Sequence, residues 1–304
     1  MTSSRLEFVE CVDPMPDASG SSQMSEAQQV NRDQAALWNG SSGGAWVEMQ
    51  DLLDRVLAPF ETLLIKETLP GEGGRVLDVG CGAGATTISM ARHLGPMGLC
   101  VGVDISEPLL KVAKERAIAE KLGAAAFVQA DAQTYAFEPG RFDCVISRFG
   151  VMFFDDPEAA FVNIRRAARS DAKLAFVAWR SPAENPFMTT AARAAEPLLP
   201  NLSRPEAGAP GQFAFADGGR VRGILNASGW KNTDVRPIDV TGNIVEQDLL
   251  TYVTKLGPVG VALRDVDEAT RERTVRVVHA AFEPYIQGGM ASFTMACWLV
   301  SAHA

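Results

Sequence analysis

The stretch Val76 to Thr87, reading VLDVGCGAGATT, constrains the fold of this 304-residue chain more than any other. Val76, Leu77 and Val79 suit a strand covered on both faces, as strands in parallel sheets are. Gly80, Gly82 and Gly84 then let the backbone turn tightly and approach a ligand without a Cβ in the way. Thr86, Thr87, Ile88 and Met90 open a helix whose first amides point back at the loop. A strand, a glycine loop and a helix N-terminus in that order make a cradle for a nucleotide-like ligand. Gly80, Gly82 and Ala85 also satisfy the GxGxxG/A pattern of dinucleotide-binding loops, so the flanking residues must decide the ligand.

Three carboxylates flank the loop. Asp78 lies inside the strand two positions before the first glycine, where a dinucleotide loop more often carries a small or apolar residue. Its carboxylate can meet an ammonium group or order the loop by accepting amides. Asp104 ends the next apolar strand, LCVGVD, where one carboxylate can accept from both ribose hydroxyls. Asp131, followed by Ala132, ends the third strand, placed to accept from an adenine amino group while the next amide serves a ring nitrogen. Three successive acidic strand ends favour S-adenosylmethionine over NAD.

These residues resemble the class I S-adenosylmethionine-dependent methyltransferases, and within them the small-molecule group with the UbiE-like core. VLDVGCGAGATT looks like that family's first motif, VGVDIS its second and QADAQ its third. FDCVISRFGVMFFDDPEAAFVNIRRA looks like its fourth strand and following helix, and KLAFVAWR like its fifth strand. The likeness runs from Trp38 to Arg180 and thins beyond. It implies that Asp78, Gly80 and Gly82 hold the methionine part of S-adenosyl-L-methionine, Asp104 and Ile105 the ribose and adenine, and Asp131 and Ala132 the adenine edge, with Cys81 and Trp38 also among the cofactor-binding residues. By the same likeness Ser147 lines the methyl-transfer side, and S-adenosyl-L-homocysteine is the product. In place of the family's Pro-Gly-Gly turn before the fifth strand stands Ser170-Asp171-Ala172-Lys173, remote from the expected cofactor site.

The fold expected is α/β, a Rossmann-like, seven-stranded, mostly parallel sheet with helices on both faces and an antiparallel last strand. Residues 1–70 read as an N-terminal arm followed by a helical lid, the lid helices being broken by a Gly40-Ser41-Ser42-Gly43-Gly44 loop. Residues 71–304 read as the core, with substrate-pocket insertions at about 181–212 and 246–289. In the last third, Arg220 to Trp230 reads as an amphipathic helix, Asn232 to Val245 as the sixth strand and Ser292 to Ser301 as the last.

A formal net charge of -9 disfavours a phosphate backbone as partner, since nucleic-acid binding needs a basic face. The sequence contains no run of roughly 20 apolar residues, and its first residues lack the apolar core of a signal peptide. A cytoplasmic enzyme is expected. Cys11, Cys81, Cys100, Cys144 and Cys297 form no Cys-x-x-Cys pair and read as small buried hydrophobes, with no metal site indicated. The arm offers a route to a homo-oligomer.

Methyl transfer from a sulfonium requires alignment and exclusion of water more than it requires particular side chains. Of the three histidines, His93 and His303 read as surface and terminal residues. His279, in RVVHAAFEPYI, is the candidate general base, against an ordinary structural role. Trp38 and Trp46 read either as closing over the cofactor or as helix-packing residues. Arg148 reads either as a substrate contact or as an ion-pair partner of Asp155 or Asp156, and Asp155 and Asp156 as caps of the helix beginning at Pro157. Glu184 and Asn185 read as loop residues with some reach toward an acceptor.

The acceptor expected is a small or medium-sized, apolar or aromatic metabolite, as in natural-product tailoring or quinone-type methylation. Phe187, Met188, Phe213, Phe215, Tyr252, Leu256, Val259, Phe282, Tyr285 and Met290 are candidates for its pocket. The competing readings are an NAD-dependent oxidoreductase, for which no Tyr-x-x-x-Lys is present, and a non-catalytic S-adenosylmethionine-binding protein.

Overall fold

The structure, a computed structural model, describes residues 31–200, 202 and 208–304. The expected N-terminal arm and Cys11 lie outside the described residues.

From Arg75 onward, apolar β-rich segments alternate with amphipathic helical ones, and the chain folds accordingly. Strand β1 (Arg75–Val79) leads to α3 (Ala85–Leu94), β2 (Leu99–Asp104) to α4 (Glu107–Ala119), then β3 (Ala125–Gln129), β4 (Phe142–Arg148), α5 (Pro157–Ala167) and β5 (Ala168–Trp179). Two helices precede β1, namely α1 (Arg32–Asn39) and α2 (Ser41–Thr68). After β5 come α6 (Pro186–Ala195), α7 (Gly218–Ala227), β6 (Lys231–Val245), α8 (Glu246–Lys255), α9 (Gly257–Ala262), α10 (Glu268–Phe282), β7 (Ile286–Gln287) and β8 (Met290–His303).

The strands form one sheet in the order β3-β2-β1-β4-β5-β8-β6, with β7 paired to β8. Strands β1 to β5 are mutually parallel, and β8 runs antiparallel to both β5 and β6. The seven long strands are those expected, and the two-residue β7 makes the sheet eight-stranded. From β1 the order runs outward through β2 and β3 and then resumes on the other side at β4. This reversal leaves a crevice at the C-terminal ends of β1 and β4, where open α/β sheets bind ligands.

Local chemistry sets the helix starts. Ser106 caps α4 through Leu109 N, Asp156 caps α5 through Ala159 N, and both helices carry proline in the first turn. Asp156 is therefore a cap as expected. Two expectations fail. The Gly40-to-Gly44 segment breaks the chain only at Gly40; Ser41 to Gly44 form the first turn of α2, where Gly43 packs so closely on Trp38 that a Cβ would lie 1.9 Å from its carbonyl oxygen. Ser170 to Lys173 is part of β5, the irregularity appearing as a register shift opposite Phe142 and Cys144.

The core falls into two clusters of buried residues, the smaller one holding Val76, Met90, Leu94 and Ile146. Phe60 and Leu64 of α2, Phe161 of α5 and Phe176 of β5 are fully enclosed, and Phe149 stacks on Trp179 at 4.4 Å. In the later insertions, Phe187, Phe215, Val259 and Phe282 are buried with them. Cys81, Cys100, Cys144 and Cys297 are buried free thiols whose pKa values burial pushes up.

Candidate functional site

The glycine loop is shaped by what it must avoid. Gly80, Gly82 and Gly84 all have positive φ. A Cβ on Gly84 would strike Ala113 and Phe127, so that glycine serves packing, whereas one on Gly82 would meet no atom within 4 Å. Gly82 is the open floor of a cleft of about 1140 Å³, mouth included.

Each flanking carboxylate reaches that cleft. Asp78 is 1% exposed; its Oδ2 accepts from Thr87 Oγ1 at 2.6 Å, while Oδ1 is buried without a hydrogen-bond partner among the described residues. Burial pushes its carboxyl up to about 6, against the pull of Thr87 and of the Arg148 guanidinium. Asp104 Oδ2 accepts the Gly82 amide and Oδ1 the Ser106 amide, both at 2.8 Å, so this one carboxylate aligns the glycine loop with the start of α4. Its pKa is also raised by burial, opposed by those amides. Asp131 Oδ1 accepts the Gln133 amide. Cys81, Ile105, Ala132 and Trp38 line the same cleft.

The cap is fastened to these strand ends. Asn31 Nδ2 donates to Asp131 Oδ2 at 2.9 Å and its Oδ1 accepts the Asp155 amide at 3.0 Å. Asn39 Nδ2 donates to Ile105 O, Ser106 Oγ donates to Trp38 O, and the Trp38 ring meets Trp46 and Phe153 edge-on at 5.6 and 5.2 Å.

Four expected residues sit elsewhere. Ser147 is fully buried beneath the cleft, donating to Val79 O and accepting the Gly150 amide, so it joins the ends of β1 and β4 instead of lining the ligand space. His279 lies on α10, its Nε2 3.1 Å from Glu246 Oε1, and does not line the cleft. Glu184 pairs with Arg180, and buried Asn185 bridges to the backbone of Ala296. The insertion residues expected in the pocket do not line this cleft. Helix α6 packs on α9 and α10 instead, closing that region on itself.

The rest of the cleft wall comes from residues that sequence reasoning does not bring together. Trp46, Gln50, Leu53, Asp54 and Leu57 of α2, with Arg148 at the end of β4 and Phe149, Phe153 and Phe154 after it, line it. Arg148 pairs with Asp54 rather than with Asp155 or Asp156, its Nη2 lying 3.4 Å from Asp54 Oδ1. Asp54 Oδ2 lies 2.8 Å from Arg116 Nη2, and Arg116 Nη1 donates to Ala83 O of the glycine loop. The available signal is helical spacing: Trp46, Gln50 and Asp54 recur every fourth residue, placing two polar residues on the face that carries Leu53 and Leu57.

Residues 77–176 match a methyltransferase domain family. Over this region the chain is similar to S-adenosylmethionine-dependent methyltransferases of the class I, small-molecule kind. It is 33% identical over 116 residues to nocamycin O-methyltransferase of Saccharothrix syringae, covering 38% of this chain and 41% of that one. It is 33% identical over 111 residues to the ubiquinone/menaquinone biosynthesis C-methyltransferase UbiE of Pseudomonas putida, covering 36% and 43%. The matched region thus spans about two fifths of these curated relatives. The fold is shared with YcgJ of Bacillus subtilis, with TM-score 0.54, 19% identity, and 80% and 97% of the two chains covered. An S-adenosylmethionine-dependent methyltransferase of Aquifex aeolicus gives TM-score 0.50 at 17% identity, over 84% and 97%. Among the described residues no group of histidine, cysteine and carboxylate side chains could hold a metal, and no helix is long and apolar enough to cross a membrane.

Proposed function

We propose that this methyltransferase moves a methyl group from S-adenosylmethionine to a small or medium-sized metabolite with an apolar or aromatic body, in natural-product tailoring or quinone-type methylation. The observation carrying this is the cleft itself, in which three strand-end carboxylates and an open glycine floor meet an apolar wall. The fit to the cofactor rests on Asp78 Oδ1, a buried acceptor without a partner among the described residues, and on the open space above Gly82. Asp78, Gly80, Cys81 and Gly82 would hold the methionine end, Asp104 and Ile105 the ribose and adenine, Asp131 and Ala132 the adenine edge, with Trp38 closing over it.

When bound, the cofactor supplies an electrophilic methyl on a positively charged sulfur. The protein contributes orientation and dryness: Asp104 fixes the loop, and Trp38, Trp46, Phe149 and Phe153 exclude water from the line of displacement. In this reading residues 31–70 are the lid and residues 71–304 the core, the insertions stabilising the core rather than binding the acceptor. The enzyme acts in the cytoplasm on a free small molecule.

Relatives that methylate oxygen and carbon both occur, so the test uses a mixed panel. Phenols, enols, carboxylic acids and quinols would be incubated with methyl-labelled S-adenosylmethionine, scoring labelled product and S-adenosylhomocysteine together. Stoichiometric transfer to one class supports the reading. Tight cofactor binding with no transfer to any member would favour a non-catalytic binding protein.

A further inference from the structure

We infer that Arg148 is the docking point for an anionic oxygen of the acceptor, a carboxylate or an ionised enol or phenol carried on an apolar body. The inference rests on the methyl-transfer reading and adds the substrate's charge to it. Arg148 has a side chain 13% exposed, and its Nη1 is buried without a hydrogen-bond partner among the described residues. A guanidinium has five donors in a fixed fork, and burying it with one nitrogen unmet costs free energy unless a ligand completes it. Its ion-pair partner, Asp54, is shared with Arg116, so two guanidiniums face that one carboxylate, and Asp78 is the further carboxylate that feels the Arg148 charge without bonding to Nη1.

The strand order separates this cation from the expected cofactor. Asp78 and Asp104 lie at the ends of β1 and β2 and Asp131 just past the end of β3, while Arg148 ends β4 on the other flank of β1. Around it the wall carries the apolar Trp46, Leu53, Leu57 and Phe149, with Gln50 and Asp54 among them. The backbone there is also held in an uncommon state. Phe149, directly after Arg148, has φ 64, rare for a bulky residue, and is kept there by the Trp179 stack and by the hydrogen bond its amide donates to Val177 O. That turn brings the Arg148 side chain and the Phe149 ring onto one wall, as a bidentate anion site beside a hydrophobic slot requires.

The test uses the full chain saturated with S-adenosylhomocysteine and titrated calorimetrically with 3,4-dihydroxybenzoate and with 3,4-dihydroxybenzamide, which differ in charge and little in shape. The wild type is expected to bind the carboxylate at least about tenfold tighter than the amide. Arg148→Gln should erase that preference and leave S-adenosylhomocysteine affinity within about threefold, whereas Arg148→Lys should keep part of it. Equal binding of the two probes by the wild type overturns the inference without touching the methyl-transfer reading. A roughly tenfold loss of S-adenosylhomocysteine affinity in Arg148→Gln also overturns it, assigning the guanidinium to the cofactor's own carboxylate. Failure of the wild type to bind S-adenosylhomocysteine sinks the reading beneath both.

Discussion

A Cβ on Gly80 would lie 2.6 Å from the Cα of Gly150, and a Cβ on Gly150 would lie 2.6 Å from Val79 O and 2.7 Å from the Cα of Gly80. The ends of β1 and β4 therefore touch backbone to backbone at the topological switch point, clasped by Ser147 between Val79 O and the Gly150 amide. Gly80→Ala should cost roughly 2–4 kcal/mol, because positive φ and a backbone clash add. Gly82→Ala, strained in φ but meeting no atom, should cost only about 1–2 kcal/mol. Denaturant unfolding of the two variants checks the order; equal costs would mean that the contact relaxes freely.

Asp104 connects loop and helix through two amides, and its removal frees both. Asp104→Ala should weaken S-adenosylmethionine binding by roughly 1.5–3 kcal/mol, the scale of lost charge-assisted hydrogen bonds. Titration of a folded variant with unchanged affinity would remove Asp104 from the cofactor site.

Asp78 gives a pH signature. Its folded pKa, about 6, is raised, so between the ordinary carboxylate value and 6 the folded state holds more protons than the unfolded one, and apo stability falls as pH rises through that window. Holding this buried carboxylate fully ionised in the folded state costs about 3 kcal/mol. Asp78→Asn should then raise the apo melting temperature at pH 8 and leave it little changed at pH 4. An ammonium-bearing ligand wants the ionised form, so S-adenosylmethionine affinity of the wild type should drop below pH 6. A flat stability difference across that range would contradict the assignment.

Asn31 fastens the start of α1 to the segment after β3 and to the approach to α5 from a left-handed conformation that asparagine tolerates, with φ 59. Asn31→Ala should speed amide exchange over residues 32–50 and raise the cofactor dissociation rate, leaving exchange in β1 and β4 unchanged. Uniform exchange rates in wild type and variant would show that the cap is held by other contacts.

His279 and Glu246 are both about a third exposed, and such pairs contribute little. His279→Ala should keep turnover within about twofold and cost less than ~1 kcal/mol. A drop of about 100-fold would restore it as a general base.

The parallel core is readable in the sequence because each element announces itself locally: VLDVG and LCVGVD as buried strands, Asp156-Pro157 as a cap, and the acidic strand ends in register with the switch point. The cap and acceptor wall are harder to read for a physical reason. Gly43 and Gly44 look like loop residues, yet both belong to α2, and Gly43 serves close packing against Trp38, which only the folded contact reveals. Arg148 stands out at the end of its strand, but its partner lies 94 residues away on α2, beyond any local pattern. The aromatic residues of the insertions suggest a pocket because composition cannot distinguish a core stack such as Phe187 on Phe293 from a ligand wall.

The central claim is the cofactor, and parallel calorimetric titration of the purified protein with S-adenosylmethionine, S-adenosylhomocysteine and NAD(H) tests it most directly. Micromolar binding of both sulfur nucleotides with silence from NAD(H) is the predicted result. Binding of NAD(H) with silence from the sulfur nucleotides would contradict the account and make the glycine loop a dinucleotide site.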